Sequence, residues 1–510
     1  MNTTLISTSL STSPPTSAPS PALPSDLLHQ TAAVSPTSVA LHAPDGRSVD
    51  YRTLAELVAT TSTALVAAGV GRGDRVVTRL ANDVPAVVMV FAAWAVGAVA
   101  VPLPPSMTDI QLASVAEDCA PTLVVVESLP GNSAAFASPP LTWTALGVVE
   151  PIAPPLQRPV NDDEPALLMY TSGSTSKPKG VICPAAAIVF AVDSIGRRLE
   201  YRASDTVLLM SPLSFDYGLY QVLLSFAAGA SVVLADASNA LALLRTIRSR
   251  PVTVVPAVPA VAGMLHTLLF RGGSVDTVRM VTSTGADLPP SRIAELRSVF
   301  PRAAIVAMYG ITECKRVTIA EPDLDRQRPG SVGRAIPGTR IAVLDHAGKT
   351  VEPETDGQIV AIGPHVMAGY WGADELTAER FGTDALTGER LLFTGDYGHI
   401  DTDGYLYFTG RRDDIFKANG VRTSVSEISA AVEALDIVQS VIVLKPTGDH
   451  GLSIVVTAAA SGSEILTALA DLLEPAKTPT RCVVLDELPL TPNGKVDTRR
   501  AELALTKDTP

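Results

Sequence analysis

The pattern of the chain predicts an α/β protein: a large N-terminal domain of parallel sheets flanked by helices plus a small barrel, then a small, mobile α+β C-terminal domain. Three observations predict it. Apolar, β-branched runs alternate with helical stretches through the first part of the chain, the signature of parallel strands covered by helices. Turn signals at Asp345, Asp356–Gly357 and Asp403–Gly404 break up Thr339–Ile362 and Leu391–Phe408, which read as hairpins. After Arg411 a charged stretch leads into a compact α/β pattern. With 510 residues the chain is longer than the roughly 250–300 at which one core stops growing, so at least two units are expected.

Taken in order, residues 1–35 are rich in Ser, Thr, Pro and Ala and are expected to be a disordered leader, because they bury too little apolar surface to offset chain entropy. The stretch lacks the basic start and apolar run of a signal peptide. The N-terminal domain is placed at 36–411. Its strands are expected at Arg75–Thr78, Thr122–Val126, Thr206–Leu209, Ser231–Leu234, Val252–Val255 and Ala304–Ala307, with helices over Leu54–Ala68, Leu241–Ser249 and Ser291–Val299. Val84–Pro105 carries no charge and is long enough to span a bilayer. Pro85, Gly97 and Pro102 interrupt it, so it reads as a buried helix (Ala86–Val96), a turn and a strand (Ala98–Val101), with no membrane partner. The C-terminal domain is placed at 412–510.

Apolar residues make up 46% of the chain and charged residues 18%, with a net charge of −13. This is a globular composition, and its acidity argues against nucleic acid as a partner. Cys119, Cys183, Cys314 and Cys482 are far apart and form no CxxC pair, which argues against a disulfide framework and for a cytoplasmic protein. Cys314 has no neighbouring His to activate it and reads as a bystander.

Tyr170–Val181, YTSGSTSKPKGV, follows the apolar run Ala166–Met169. Its hydroxyls, glycine amides and Lys179 suit phosphate oxygens, although the Walker pattern is absent. Four further motifs follow in order: Tyr309–Glu313 (YGITE), Thr394–Asp396 (TGD), Gly410–Ile415 (GRRDDI) and Pro492–Asp497 (PNGKVD). With these five the chain resembles the adenylate-forming superfamily of acyl-CoA synthetases, luciferases and peptide-synthetase adenylation domains. Ser176 replaces the usual second glycine of the first motif. The resemblance implies an enzyme that uses ATP and Mg2+ to join a carboxylic acid to AMP and then passes the acyl group to a thiol.

Site residues follow from the same resemblance. Thr171, Ser172, Gly173, Ser174, Thr175, Thr312 and Lys179 would serve the phosphates, and Glu313 the magnesium. Tyr309, Gly285, Ala286 and Phe408 would surround the nucleoside, with Asp396 and Arg411 on the ribose. Asp413 would be the hinge of a swinging C-terminal lid, Gly420 (with Arg422) would line the thiol tunnel, and Lys495 would be the catalytic lysine. Intact Lys179, Glu313, Asp396, Arg411 and Lys495 argue against an inactive descendant.

The acid pocket is expected from Ser214–Gln221 (SFDYGLYQ), Val281–Leu288 (VTSTGADL) and the residues after Glu313. Asp216 can bind a substrate ammonium or cap a helix. Lys315 and Arg316 can grip a second anionic group or be a solvated pair. The combination is similar to the freestanding β-amino-acid adenylating enzymes of macrolactam polyketide pathways, of the vicenistatin 3-methylaspartate type. That resemblance implies Asp216 on the β-amino group, Ser283 or Thr284 with Lys315 and Arg316 on a second carboxylate, and Gly310 as a further substrate residue. The acceptor would be the phosphopantetheine thiol of a separate acyl carrier protein; Arg245, Arg248 and Arg250 are either its docking cluster or a merely solvated helix face. A coenzyme A ligase and an α-amino-acid-activating enzyme remain alternatives.

Overall fold

The computed structural model describes residues 23–132, 136–147, 164–171, 179–237, 239–270, 272–286, 288–411, 414–418, 421–447, 450–470, 472–489 and 496–507. Two large sheets dominate. The nine-stranded sheet runs, edge to edge, Arg334–Ala335, Thr318–Ile319, Ala304–Tyr309, Met280–Ser283, Val254–Pro256, Thr206–Leu209, Ser231–Leu234, Val39–His42 and Ser48–Asp50. From Ala304–Tyr309 to Val39–His42 all neighbours are parallel. Their carboxyl ends therefore share one edge, where ligand-binding loops of α/β sheets gather. The seven-stranded sheet has a parallel centre around Arg75–Arg79 and Val99–Leu103, continues into the antiparallel hairpin Pro165–Thr171/Lys179–Pro184, and has Gly369–Tyr370 as the edge strand beyond it.

The two sheets share one core, into which the helices Val84–Ala95, Ala185–Leu199 and Asp216–Ala228 are packed. Val84–Ala95 starts where Asp83 accepts a hydrogen bond from the Val84 amide at 2.7 Å, and Pro85 occupies its first turn. Phe91 meets Trp94 and Phe226. The charge-free segment is thus a 12-residue core helix. Among the described residues no helix is long and apolar enough to cross a membrane.

Two expectations are corrected. The leader does not extend to residue 35, because Asp26–Val34 is a helix whose Leu27 and Leu28 are buried in the main core with Leu23. Leu27 and Leu28 of the helix, with Leu23 just before it, anchor the segment in the core despite the polar composition around them. Residues 1–22 lie outside the described residues. The expected barrel is an antiparallel sheet, Arg340–Leu344, Gly357–Ile362, Arg390–Ile400 and Phe381–Thr383, with Leu406–Arg411 paired to the far half of Arg390–Ile400. Among the described residues no pairing joins its edges into a closed ring.

The C-terminal part has its own core, in which Ile428, Val432, Ile454, Val456, Ile465 and Leu469 are buried. The sheet Val438–Leu444, Ser453–Ala458 and Arg481–Val484 carries the helices Val425–Glu433, Gly462–Leu469 and Thr498–Lys507. A separate core is the physical mark of a separate domain.

Candidate active site

The expected phosphate loop lies between the two paired strands Pro165–Thr171 and Lys179–Pro184. Thr171 pairs with Lys179 at its base, which places Lys179 at the loop's exit. Ser172, Gly173, Ser174 and Thr175 lie outside the described residues, as do Asp413, Gly420 and Lys495. Arg422 falls in the strand Val421–Ser424.

The nucleoside residues converge on a buried carboxylate. Asp396, in Arg390–Ile400, accepts a hydrogen bond from the Tyr309 hydroxyl at 2.6 Å, and Arg411 Nε lies 3.2 Å from its other oxygen. Burial pushes the Asp396 carboxyl up, opposed by Arg411 and Tyr309. A buried carboxylate flanked by an aromatic ring and a guanidinium suits ribose hydroxyls and a base, so the donor set fits a nucleotide. Phe408 does not form an opposite wall to Tyr309. Their centroids are 5.6 Å apart at 32°, whereas a purine between two rings needs roughly 7 Å, twice the contact distance. Gly285 and Ala286 follow the strand Met280–Ser283 at the same edge, Gly285 with φ of +91°.

After Tyr309 the chain makes a tight turn. The Cys314 and Lys315 amides both donate to the Ile311 carbonyl, at 3.0 and 2.7 Å. Gly310 has a packing role here, because a Cβ would lie 2.0 Å from the Lys315 carbonyl oxygen. Lys315 adopts φ of 63°, a left-handed conformation that costs a non-glycine residue on the order of 1–3 kcal/mol. Such strain persists only where the surrounding structure over-determines it, and such residues cluster at active sites. Thr312 and Glu313 are half-buried on this turn. The Tyr370 hydroxyl donates to Glu313 Oε1 at 2.7 Å and so aims the carboxylate. One such carboxylate, completed by substrate phosphates, is an ordinary magnesium site.

The turn delivers Lys315 and Arg316 into the interior, so they are not a solvated pair. Lys315 is 0% exposed. The side chains of Arg316 and Asp216 are each 5% exposed, with Arg316 Nη1 3.3 Å from Asp216 Oδ2. Asp216 is the first residue of Asp216–Ala228, but the N-cap position belongs to Phe215, without a side-chain cap. The capping alternative therefore fails. Gly218 lets this first turn approach the preceding loop, since a Cβ there would meet the Pro212 carbonyl oxygen at 2.2 Å. The Ser283 and Thr284 hydroxyls, at the end of Met280–Ser283, are both buried without a hydrogen-bond partner among the described residues. Buried hydroxyls rarely stay unpaired, and those that do call for a ligand or water.

Sequence reasoning missed Cys183, and it placed Tyr217 and Tyr220 in the pocket stretch Ser214–Gln221 without giving them roles. Cys183, from the hairpin of the other sheet, has its Sγ 3.3 Å from Lys315 Nζ. The Tyr220 ring lies 5.7 Å from the same ammonium, and the Tyr217 ring 4.9 Å from the Arg316 guanidinium. The i, i+4 spacing of Asp216 and Tyr220, which puts both on one helix face, was the available signal. Burial pushes the Cys183 thiol up, with Lys315 opposing. Cys314 is buried and its thiol is likewise pushed up by burial. The basic cluster is partly committed to holding loops. Arg248 donates to the Gly273 and Ser274 carbonyls, and Arg250 contacts His42 and the Gly46 carbonyl.

Residues 28–371 match the model of the AMP-binding enzyme family. The chain belongs to that family, and with it to the AMP-forming ligases. VinN, whose structures include a complex with L-aspartate, is 39% identical, with a TM-score of 0.68 over 76% of this chain and 98% of its own. The o-succinylbenzoate coenzyme A synthetase MenE of Bacillus subtilis, in complex with ATP and magnesium, is 25% identical, with a TM-score of 0.80 over 92% of this chain. The indoleacetate–CoA ligase of Aromatoleum aromaticum is 29% identical over 92% of this chain and 96% of its own length. Matching synthetases, non-ribosomal peptide synthetases among them, are much longer, and the chain spans 6% of one and 39% of another.

Proposed function

We propose that this enzyme adenylates an amino acid bearing a second carboxylate, aspartate or 3-methylaspartate, and transfers it to the phosphopantetheine thiol of a standalone acyl carrier protein in cytoplasmic macrolactam or polyketide biosynthesis. One observation carries the reading: a buried pocket holds one carboxylate, Asp216, beside two buried cations, Lys315 and Arg316. Isolated charges are retained inside a protein at considerable cost, and a zwitterion with an extra carboxylate matches all three. The similarity to VinN in complex with L-aspartate supports the same substrate class.

In the first half-reaction the substrate carboxylate attacks the α-phosphorus of ATP. An acyl–AMP anhydride forms and pyrophosphate leaves. Lys179 and Thr312 hold phosphate oxygens, and Lys495 meets the charge that develops on the transferring phosphoryl. Glu313 would hold a magnesium ion, which supplies further charge neutralisation. In the second half-reaction a thiolate attacks the acyl carbon and AMP departs. The C-terminal domain swings about Asp413 between the steps, withdrawing Lys495 and bringing Gly420 to the thiol channel.

ATP–pyrophosphate exchange across a panel of acids tests the assignment. Exchange is expected to be fastest with aspartate-like acids, and preference for a fatty or aryl acid overturns it. Thioester formation on a carrier protein, in place of coenzyme A, is the expected acceptor result.

A further inference from the structure

The Asp216–Arg316 contact is a poor ion pair in a place where poor ion pairs are costly. Both side chains are 5% exposed, and their contact is a single one at 3.3 Å. Charge-assisted bonds of this kind usually measure about 2.7–2.9 Å, and Arg–carboxylate pairs are often bidentate. Arg316 has other support, from the Lys315 carbonyl at 2.8 Å and the Tyr217 ring. Among the described residues Arg316 is the only hydrogen-bond partner of the Asp216 side chain. Lys315 differs again. Its ammonium meets Cys183 Sγ and the Tyr220 ring, and among the described residues no carboxylate pairs with it. Among the described residues the site thus holds one loose internal pair and one cation without a counter-ion.

We infer that Asp216 and Arg316 act as each other's stand-in substrate: their ion pair is a lock that only a ligand carrying both an ammonium and a second carboxylate opens without loss. This rests on the substrate class proposed above. A zwitterionic ligand separates the two side chains, giving its ammonium to Asp216 and its carboxylate to Arg316, with Lys315 and the unpaired Ser283 and Thr284 hydroxyls completing the anion site. A ligand with the ammonium alone leaves Arg316 a buried, unpaired cation. A ligand with the carboxylate alone leaves Asp216 a buried, unpaired anion. Each partial ligand is rejected through the penalty it imposes on the group it cannot satisfy, in addition to the contact it lacks. Recognition of the two groups is therefore one coupled event.

The lock makes a prediction that two independent binding residues do not. Consider β-alanine, which has the amine and one carboxyl, and succinate, which has both carboxyls and no amine. In pyrophosphate exchange, Arg316→Gln is expected to raise kcat/KM for β-alanine at least tenfold over wild type, because binding then no longer takes a carboxylate partner away from a buried Arg316. Asp216→Asn is expected to raise kcat/KM for succinate similarly. Both variants lose activity with L-aspartate. Were the two residues independent, Arg316→Gln would leave β-alanine unchanged and Asp216→Asn would leave succinate unchanged, and that outcome overturns the lock. The double variant, Asp216→Asn with Arg316→Gln, is expected to be at least as thermostable as either single variant. Single variants that fail to fold beside a folded double variant are the same coupling seen in folding; an additive loss in the double overturns it. If wild type prefers another class of acid altogether, the substrate assignment fails. If aspartate is preferred and the analogues do not respond to the variants, the lock alone fails.

Discussion

Two buried aspartates flank the strand Thr206–Leu209, Asp205 before it and Asp216 after it. Asp205 accepts hydrogen bonds from the Arg202 amide and the Thr253 hydroxyl at 2.8 Å each, and from Arg279 at 2.8 and 2.5 Å. Burial pushes its carboxyl up, but Arg279, Arg202 and Thr253 outweigh that and hold it below the usual value. Asp216 has Arg316 at 3.3 Å. The amino end of the strand is tied; the carboxyl end is poised. The difference is what a parallel sheet predicts, since its carboxyl edge is where loops are free to serve ligands. Burial and an arginine partner do not by themselves separate a structural ion pair from a functional one. The count and length of the hydrogen bonds do.

Substitutions can break this contrast in opposite directions. The largest effect is expected for Lys315→Met, which removes the pocket's cation without a carboxylate partner. It should lower kcat/KM for L-aspartate by at least about 100-fold, the lower end of the 3–5 kcal/mol lost when a buried pair loses one partner. Its melting temperature should hold or rise, because an apolar group replaces an uncompensated buried charge. A large drop in melting temperature would make Lys315 a structural residue.

Arg279→Ala should do the reverse. It leaves Asp205 under-satisfied and should cost about 1–3 kcal/mol of stability, read by thermal or urea unfolding, with pyrophosphate exchange intact. The sign with pH follows from the depressed carboxyl of Asp205. The folded state favours the charged form, so the stabilisation is present above the ordinary carboxylate value, about 3.9. It is lost as pH falls from there through the depressed value. The stability deficit of Arg279→Ala should therefore shrink on acidification below about pH 4, and a deficit independent of pH would contradict the pairing.

Much of the fold was legible in the sequence. Thr206–Leu209 and Ser231–Leu234 were read to the residue, because both are short apolar, β-branched runs bounded by turn residues. The helix Asp26–Val34 was missed because composition over a window averages away the few leucines, Leu27 and Leu28 with Leu23 before them, that anchor it. The antiparallel sheet was legible as hairpins but not as open, since closure depends on which edges meet in space. In the site, Asp216, Lys315 and Arg316 were found from motif context, while their alternatives, a helix cap and a solvated pair, could be removed only by seeing Phe215 at the cap position and both cations buried. Cys183 escaped because it lies 132 residues from Lys315 and meets it only when the two sheets pack. Ser283 and Thr284 are alike in the structure, both hydroxyls being buried and without a hydrogen-bond partner among the described residues.

The central claim is that the pocket reads a second carboxylate on an amino acid. The most direct measurement is the ratio of kcat/KM for L-aspartate to that for β-alanine in wild-type pyrophosphate exchange, since β-alanine keeps the amine and one carboxyl and lacks only the other. The ratio is predicted to be about 100 or more, the worth of a buried charge partner. A ratio near one would contradict the claim.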